Sequence, residues 1–338
     1  MKVLLIEWAC SQQTEDGDCQ TVYLSEGRAM LVALAEDLIG CGHQVVTLAR
    51  ENIFEISPLI EIHEPIVGSD ICSVINMLAK KCDCAFLIAP ECNGILVQMV
   101  REIEKTSVLN LGCSSSAVSL CGDKLNLYKY WFMNRVPTPN TWSQIDEVES
   151  DGPLVIKPKD GAGSERTMIV RDFYEAKRKL TGINEDEQGK LIFQSFVHGF
   201  SASISCLLRF NGTQIFMPAC AQTIANRNGK ISYEGGWGPL PQEMQSRCEN
   251  LARVALRGID GIQGWVGIDV ILGDCPKGNN DFVIEINPRL TSSYLGIRHL
   301  LEPSPIPWWL STANGPLKFR DNKGKRLKWM KSGEMETI

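Results

Sequence analysis

Apolar and polar positions in the first third of the chain switch between two periods. Residues 3–6, 44–48, 85–89 and 107–111 are short apolar runs that read as strands. Between them, residues 27–39 (closed by Gly40), 71–81 and 94–105 carry apolar side chains at helical spacing. This alternation predicts a parallel sheet covered by helices over residues 1–115. No G-x-G-x-x-G follows the first strand, so a dinucleotide fingerprint is missing there. A helix over 124–134 follows, ended by Val136-Pro-Thr-Pro139. From Leu154 to about Leu191 the pattern becomes strands, turns and one acidic helix. Strands at 193–197 and 203–210, a helix over 243–257 and a hairpin complete it. The expected class is α/β and α+β, with units at 1–115, 116–192 and 193–318. The basic tail at 319–338 reads as a surface strand or an irregular extension.

The hairpin is the most informative stretch. Gly264-Trp-Val-Gly-Ile-Asp269-Val-Ile-Leu and Phe282-Val-Ile-Glu285-Ile-Asn287-Pro288-Arg289 flank a polar loop. A turn centred near Lys277 sets Asp269 opposite Glu285, and Asn287 shares the face of Glu285. Carboxylates about 5 Å apart repel by roughly 3 kcal/mol at an effective dielectric of about 20, and a hard divalent cation removes that repulsion. The spacing alone fits a solvated acidic hairpin equally well, and a one-residue slip would separate the pair.

Composition narrows the class. The chain has 338 residues, is 44% hydrophobic and 22% charged, and carries a formal net charge of −6. That balance disfavours a broad nucleic-acid surface, so any phosphate site must be locally basic. No apolar run reaches the roughly 18 residues of a membrane span, and the N-terminus reads as a strand rather than a signal peptide. Thirteen cysteines, an odd number without C-x-x-C, and only four histidines argue against a disulfide framework or a zinc cluster. Cys113, Cys206 and Cys220 sit beside apolar residues, as small buried hydrophobes do. The implied compartment is reducing and cytoplasmic, and a homo-oligomer is compatible with the chain.

Two segments are candidates for phosphate binding. Leu154-Val-Ile-Lys157-Pro-Lys159 ends a strand with two lysines on one face, and Asp-Gly161-Ala-Gly163-Ser164 follows as a glycine-rich turn. Glycines let backbone N–H groups approach an anion, and Ser164 adds a hydroxyl. A tight hairpin with solvated lysines is the alternative. Cys121-Gly122-Asp123-Lys124 opens a helix that Asp123 can cap, leaving Lys124 beside its N-terminus.

In order, Asp123-Lys124, the strand lysine with its glycine loop, Gln194-Ser-Phe196-Val197-His-Gly199 and Asp269…Glu285-Ile-Asn287-Pro-Arg289 resemble the ATP-grasp superfamily over about 115–300, preceded by its usual α/β domain. The resemblance implies that Lys124 and Lys157 contact ATP phosphates under a loop of Gly161, Gly163 and Ser164. It implies adenine against Gln194, Phe196 and Val197, and Mg²⁺ (or Mn²⁺) on Asp269, Glu285 and Asn287. Arg289 would stabilise the transferring phosphoryl group and the acyl phosphate. Ser201 stands where the family often has a ribose-contacting glutamate.

The N-terminal Leu5-Ile-Glu7-Trp8, Glu26-Gly27-Arg28-Ala-Met30-Leu31 and Gly42-His43 look like the tyramine–glutamate ligases of methanofuran biosynthesis. Trp8 stands for their aromatic residue, and the polar 11–17 stretch replaces their glycine-rich turn. The resemblance implies an ATP-dependent carboxylate–amine ligase. Glutamate would be activated at its γ-carboxyl and joined to tyramine or a related amine such as tyrosine, for a cofactor of one-carbon metabolism. Ligation of another amino acid pair, or a small-molecule kinase on the same scaffold, is the alternative. Ser292, Ser293, Tyr294 and Glu26 are candidate substrate contacts, and residues 233–239 read as a flexible aromatic loop over the acceptor.

Overall fold

The computed structural model describes residues 1–12, 20–50, 59–66, 68–163, 166–209, 211–311, 317–319 and 325–338. Five parallel strands open the chain: β1 (Lys2–Glu7), β2 (Gln44–Leu48), β3 (Ile60–His63), β4 (Cys84–Ile88) and β5 (Leu109–Asn110), in the order β3-β2-β1-β4-β5. Five of the six β1 residues and all of β4 are buried, so the runs are continuously apolar rather than alternating. Helices α1 (Gln20–Gly40), α2 (Ile71–Ala79) and α3 (Ile95–Glu104) belong to this part of the chain. The strand at Ile60–His63 is absent from the sequence reading. It is a four-residue, half-exposed edge carrying Glu61 and His63, with too little apolar contrast to stand out. Helix α1 begins before the expected Gly27.

Two helices lead into the second part, α4 (Ser115–Gly122) and α5 (Lys124–Met133). Ser114 caps the first through Ala117 N–H, and Asp123 caps the second by accepting from Leu125 and Asn126 N–H. The first was not anticipated, because its apolar positions are few and mixed with serine.

The second sheet is antiparallel and begins with β6 (Thr141–Trp142), β7 (Leu154–Pro158), β8 (Met168–Val170) and β9 (Leu191–Ser195). Helix α6 (Phe173–Leu180) contributes Ala176 and Leu180 to a small core with Leu154, Ile156, Val170 and Phe193. A short α7 (Glu185–Gln188) follows. The sheet continues through β10 (Phe200–Leu208), β11 (Gln214–Phe216), β12 (Cys220–Arg227) and β13 (Lys230–Gly238), then α8 (Gln242–Ala255) and the hairpin β14 (Gly264–Leu272) and β15 (Phe282–Asn287). Its main path runs β15-β14-β10-β12-β13-β8-β7-β9-β6. Arg247 from α8 fastens the hairpin's base, donating through Nε to Asp281 at 2.9 Å and through Nη2 to the Gly273 carbonyl at 2.7 Å.

One expectation is corrected here and another is sharpened. Residues 233–238 are the last six of the nine residues of β13, with Pro239 just after it, not a loop over the acceptor. Gly235 and Gly236 are glycines because other strands crowd them: a Cβ on Gly235 would lie 2.1 Å from the Trp329 carbonyl. Of the two readings of the tail the strand is the one found, as β18 (Leu327–Met330) against β13 and β19 (Met335–Thr337) against β18, after a small ribbon of β16 (Leu301–Glu302) and β17 (Lys318–Phe319). Trp329 is 1% exposed and packs on Gly296 and Gly236, so the basic tail carries a core residue. Cys113, Cys206 and Cys220 are buried, and the cysteines among the described residues are free thiols. No helix of the described residues is long and apolar enough to cross a membrane.

Candidate active site

Strand register builds the centre of the site. Asp269 pairs with Glu285 across β14 and β15, Gly267 pairs with Asn287, and Ser203 of β10 flanks Asp269 on the other side. Beside the turn the register is Val270 with Val283 and Ile271 with Phe282, which continued would set Asp269 opposite Ile284; a bulge between Asp269 and Val270 sets it opposite Glu285 instead. The Asn287 amide nitrogen lies 3.4 Å from Asp269 Oδ2, and Gln222 Nε2 donates to Asp269 Oδ1 at 3.0 Å. Ser201 donates in turn to Gln222 Oε1 at 2.8 Å, so the position without the family glutamate serves the carboxylate network. Gln222 carried no motif signal and emerges only from the pairing of β12 with β10.

Lysines face this pair. Lys157, at the end of β7, is 6% exposed, and burial pushes its ammonium down to about 8. Lys124, at the start of α5, donates to the Gly161 carbonyl at 3.0 Å and lies 3.6 Å from Glu285 Oε2. Burial opposes ionisation of Glu285, but the charges of Lys124 and Lys157 outweigh it and hold the carboxyl below its ordinary value. Asp269 moves the other way, raised first by burial and then by the negative charge of Glu285. Two carboxylates and an amide so arranged suit a hard cation with oxygen ligands. No larger His, Cys, Asp and Glu cluster gathers anywhere among the described residues.

A cleft of about 330 Å³ connects these groups, within the usual range for small-molecule sites. Lys124, Lys157 and Gly161 line it with Asp269 and Glu285, while Gln194 near the end of β9 and Phe196 and Val197 just after it line the other part. Gln194 is anchored by donating to Thr141 Oγ1 at 2.9 Å. Lys159 shares the sequence motif but is not part of the lining. Ser164 lies outside the described residues. A larger cavity, about 850 Å³, opens beside α1 and is lined by Arg28, Arg50 and Arg298 among others. It holds none of the lysine–carboxylate chemistry and borders segments outside the described residues, so the smaller cleft is the better site.

Arg289 follows the hairpin and is met by a residue the sequence did not single out. Its Nε and Nη2 donate to the two oxygens of Glu91 at 2.9 and 3.1 Å, a bidentate fork between side chains 10% and 4% exposed. Glu91 follows β4, so the fork ties the parallel sheet to the carboxylate hairpin. Gly163, Glu26, Ser292, Ser293 and Arg289 line a small cavity beside Asp269 and Glu285, and Tyr233 of β13 joins them. Burial raises the Tyr233 hydroxyl and hydrogen bonding to Ser292 opposes the shift. Tyr294 is placed elsewhere: it is fully buried in α9 (Ser293–Ile297), stacks edge-on against Trp265 and donates to Asp37. As the residue after Ser293 on a helix it points about 100° away round the axis, into the core.

Residues 121–293 match the model of an ATP-grasp domain, and 47–118 that of a pre-ATP-grasp domain. A tyramine–L-glutamate ligase of Methanocaldococcus fervens is 29% identical over 320 residues, covering 92% of this chain and 94% of that protein. One from Methanocaldococcus jannaschii is 26% identical over 328 residues, covering 94% and 91%. Among solved structures, an ATP-grasp superfamily protein from Archaeoglobus fulgidus superposes with a TM-score of 0.74 at 21% identity, covering 98% of this chain and 92% of that one. An L-amino acid ligase from Bacillus licheniformis superposes at 0.66 with 17% identity, covering 97% and 78%. The order of lysines, glycine turn, strand-end glutamine and carboxylate hairpin thus has its explanation: the chain belongs to the ATP-grasp family.

Proposed function

We propose that the chain is an ATP-dependent carboxylate–amine ligase that joins the γ-carboxyl of glutamate to tyramine or a related aromatic amine. The observation that carries this reading is the single cleft in which Lys124 and Lys157 face Asp269 and Glu285. The similarity to tyramine–L-glutamate ligases along more than nine-tenths of the chain supports the choice of substrates.

Gln194, Phe196 and Val197 take the adenine, and Lys124, Lys157, Gly161 and Gly163, with Ser164, take the phosphates. Asp269, Glu285 and Asn287 would hold Mg²⁺, which supplies positive charge against the phosphate oxygens. A glutamate carboxylate oxygen attacks the γ-phosphorus and ADP leaves. The amine nitrogen then attacks the acyl carbon, the C–O bond to phosphate breaks, and the nitrogen loses a proton. Arg289 faces the region where both steps place negative charge, and its guanidinium is fixed beforehand by Glu91. Lys157, buried and desolvated, gains most from a phosphate partner. Ser292 and Ser293, with Glu26, hold the amino acid substrate in the cavity next to the carboxylate pair. Catalysis is then positioning and electrostatics, with no nucleophilic side chain required. The units at 1–115, 116–192 and 193–318 are the N-terminal α/β domain, the lid and the metal-bearing subdomain, and the enzyme works in the cytoplasm, making a γ-glutamyl amide for a methanofuran-like cofactor of one-carbon metabolism.

Mass spectrometry of products from a panel of carboxylates and amines, each incubated with Mg-ATP, tests the proposal. An amide that forms only with glutamate and an aromatic amine is the expected result. ADP formed with a single alcohol and no amine would replace the ligase reading with a kinase.

A further inference from the structure

The parallel sheet changes direction between β1 and β4, since the chain runs from β1 outward to β2 and β3 and then returns to β4 on the other side. Ligands of such sheets bind in the crevice outside the carboxyl ends of the strands at this switch. Here the crevice has a volume of about 40 Å³ and is lined by Glu7 at the end of β1, Pro90 after β4, and Glu26 and Gly27 of α1. That is room for a group the size of one water molecule or slightly more, too little for a ring or a phosphate. Gly163 and Arg289 also line it, and with Glu26 they line the cavity at the carboxylate pair, so the two spaces adjoin.

We propose that this crevice is the binding site for a primary ammonium group of one of the two substrates, with Glu7 as its counter-ion. The inference rests on the ligase reading, in which glutamate and the acceptor amine each carry such a group. Charge favours it: among the described residues of the lining, Glu7 and Glu26 face one cation, Arg289, and that cation is already forked onto Glu91. Glu7 is 2% exposed, and its Oε2 accepts from Cys10 N–H at 2.8 Å. Burial pushes its carboxyl up to about 7, and hydrogen bonds from the Cys10 N–H, the Cys10 thiol and the Ala9 N–H, with the charge of Arg289, offset only part of that shift. An arriving ammonium compensates that burial. The backbone makes space for the carboxyl deliberately. A Cβ on Gly27 would lie 2.4 Å from the Glu7 carboxyl, so a glycine stands inside α1 where alanine would favour the helix.

Steady-state kinetics on Glu7→Gln and Gly27→Ala test the assignment, with hydroxylamine as a neutral acceptor and glutarate as a donor lacking the ammonium. Both variants should raise KM at least tenfold for one ammonium-bearing substrate and leave KM for ATP within twofold. If the donor's ammonium is held, the rise persists with hydroxylamine and disappears with glutarate. If the acceptor's is held, KM for glutamate in the hydroxylamine assay stays at the wild-type value. Folded variants with both KM values within twofold of wild type would overturn the site. Gly27→Ala keeps the carboxylate and displaces it, so it decides the question even if Glu7→Gln does not fold. Wild-type protein that forms neither hydroxamate nor amide would remove the ligase reading and this site with it, a result distinct from unchanged KM values.

Discussion

Replacing Glu91 with alanine strips Arg289 of its partner while leaving the guanidinium between β15 and the parallel sheet. Both hydrogen bonds of the fork, 2.9 and 3.1 Å, are lost, and the arginine keeps its 3.1 Å bond to the Leu290 carbonyl. Breaking a buried pair by removing one partner costs about 3–5 kcal/mol, because a charge remains uncompensated. The negative charges of Glu26 and Glu285 also act on Arg289, which moves the expectation to the lower end, about 3 kcal/mol. The catalytic effect is separate. A guanidinium released from its fork no longer stands ready where charge develops, and loss of one such preorganised group lowers kcat by about 10²–10³. KM for ATP should change little, since Gln194, Phe196 and Val197 are untouched. Urea unfolding measures the first quantity and steady-state kinetics the second. A Glu91→Ala protein within 1 kcal/mol of wild type in stability, with kcat within about threefold, would refute the claim that Glu91 holds Arg289 for the reaction.

Glu285→Gln should lower kcat by about 10² or more while circular dichroism shows a retained fold, because it removes one charge from the cation-binding face without changing its shape. Glu7→Gln should stabilise the protein at high pH. The folded carboxyl titrates at about 7 against an ordinary 4.5, so above both values the fold carries a buried charge that the unfolded chain solvates. The gain is absent near pH 4, grows as pH rises through this window and reaches roughly 3 kcal/mol by pH 8, as read by urea unfolding at the two extremes. A variant that gains stability and loses substrate affinity would show that the carboxylate is kept for binding. Trp329→Ala should cost about 3–5 kcal/mol, since it empties a fully buried site between Gly236 and Gly296; a loss under 1 kcal/mol would mean the tail is not part of the core.

Much of this arrangement was legible in the chain. The two apolar strands and their polar turn are plain in the residues, and the pairing of Asp269 with Glu285 is reached through a bulge, since the register beside the turn alone would set Asp269 opposite Ile284. Lys157 and Gly161 could be placed at a strand end and turn for the same local reason. What escaped was set by distant pairing. Glu91 meets Arg289 from 198 residues away, and Gln222 reaches Asp269 only because β12 lies beside β10. Neither has a local spacing that marks it. Glycines misled in the other direction: Gly235, Gly236 and Gly238 suggested a flexible loop, whereas they let β13 run close against its neighbours. Tyr294 was drawn toward the site by its place after Ser293, and helical geometry turned it into the core.

The central claim is that ATP activates a carboxylate before the amine attacks. Glutamate labelled with ¹⁸O in its γ-carboxyl, supplied with Mg-ATP and tyramine, tests it directly by mass spectrometry of the phosphate released. Transfer of a carboxylate oxygen to phosphorus and cleavage of the acyl C–O bond predict one ¹⁸O in each phosphate formed. Amide formation with unlabelled phosphate would contradict the mechanism, however well the cleft fits its substrates.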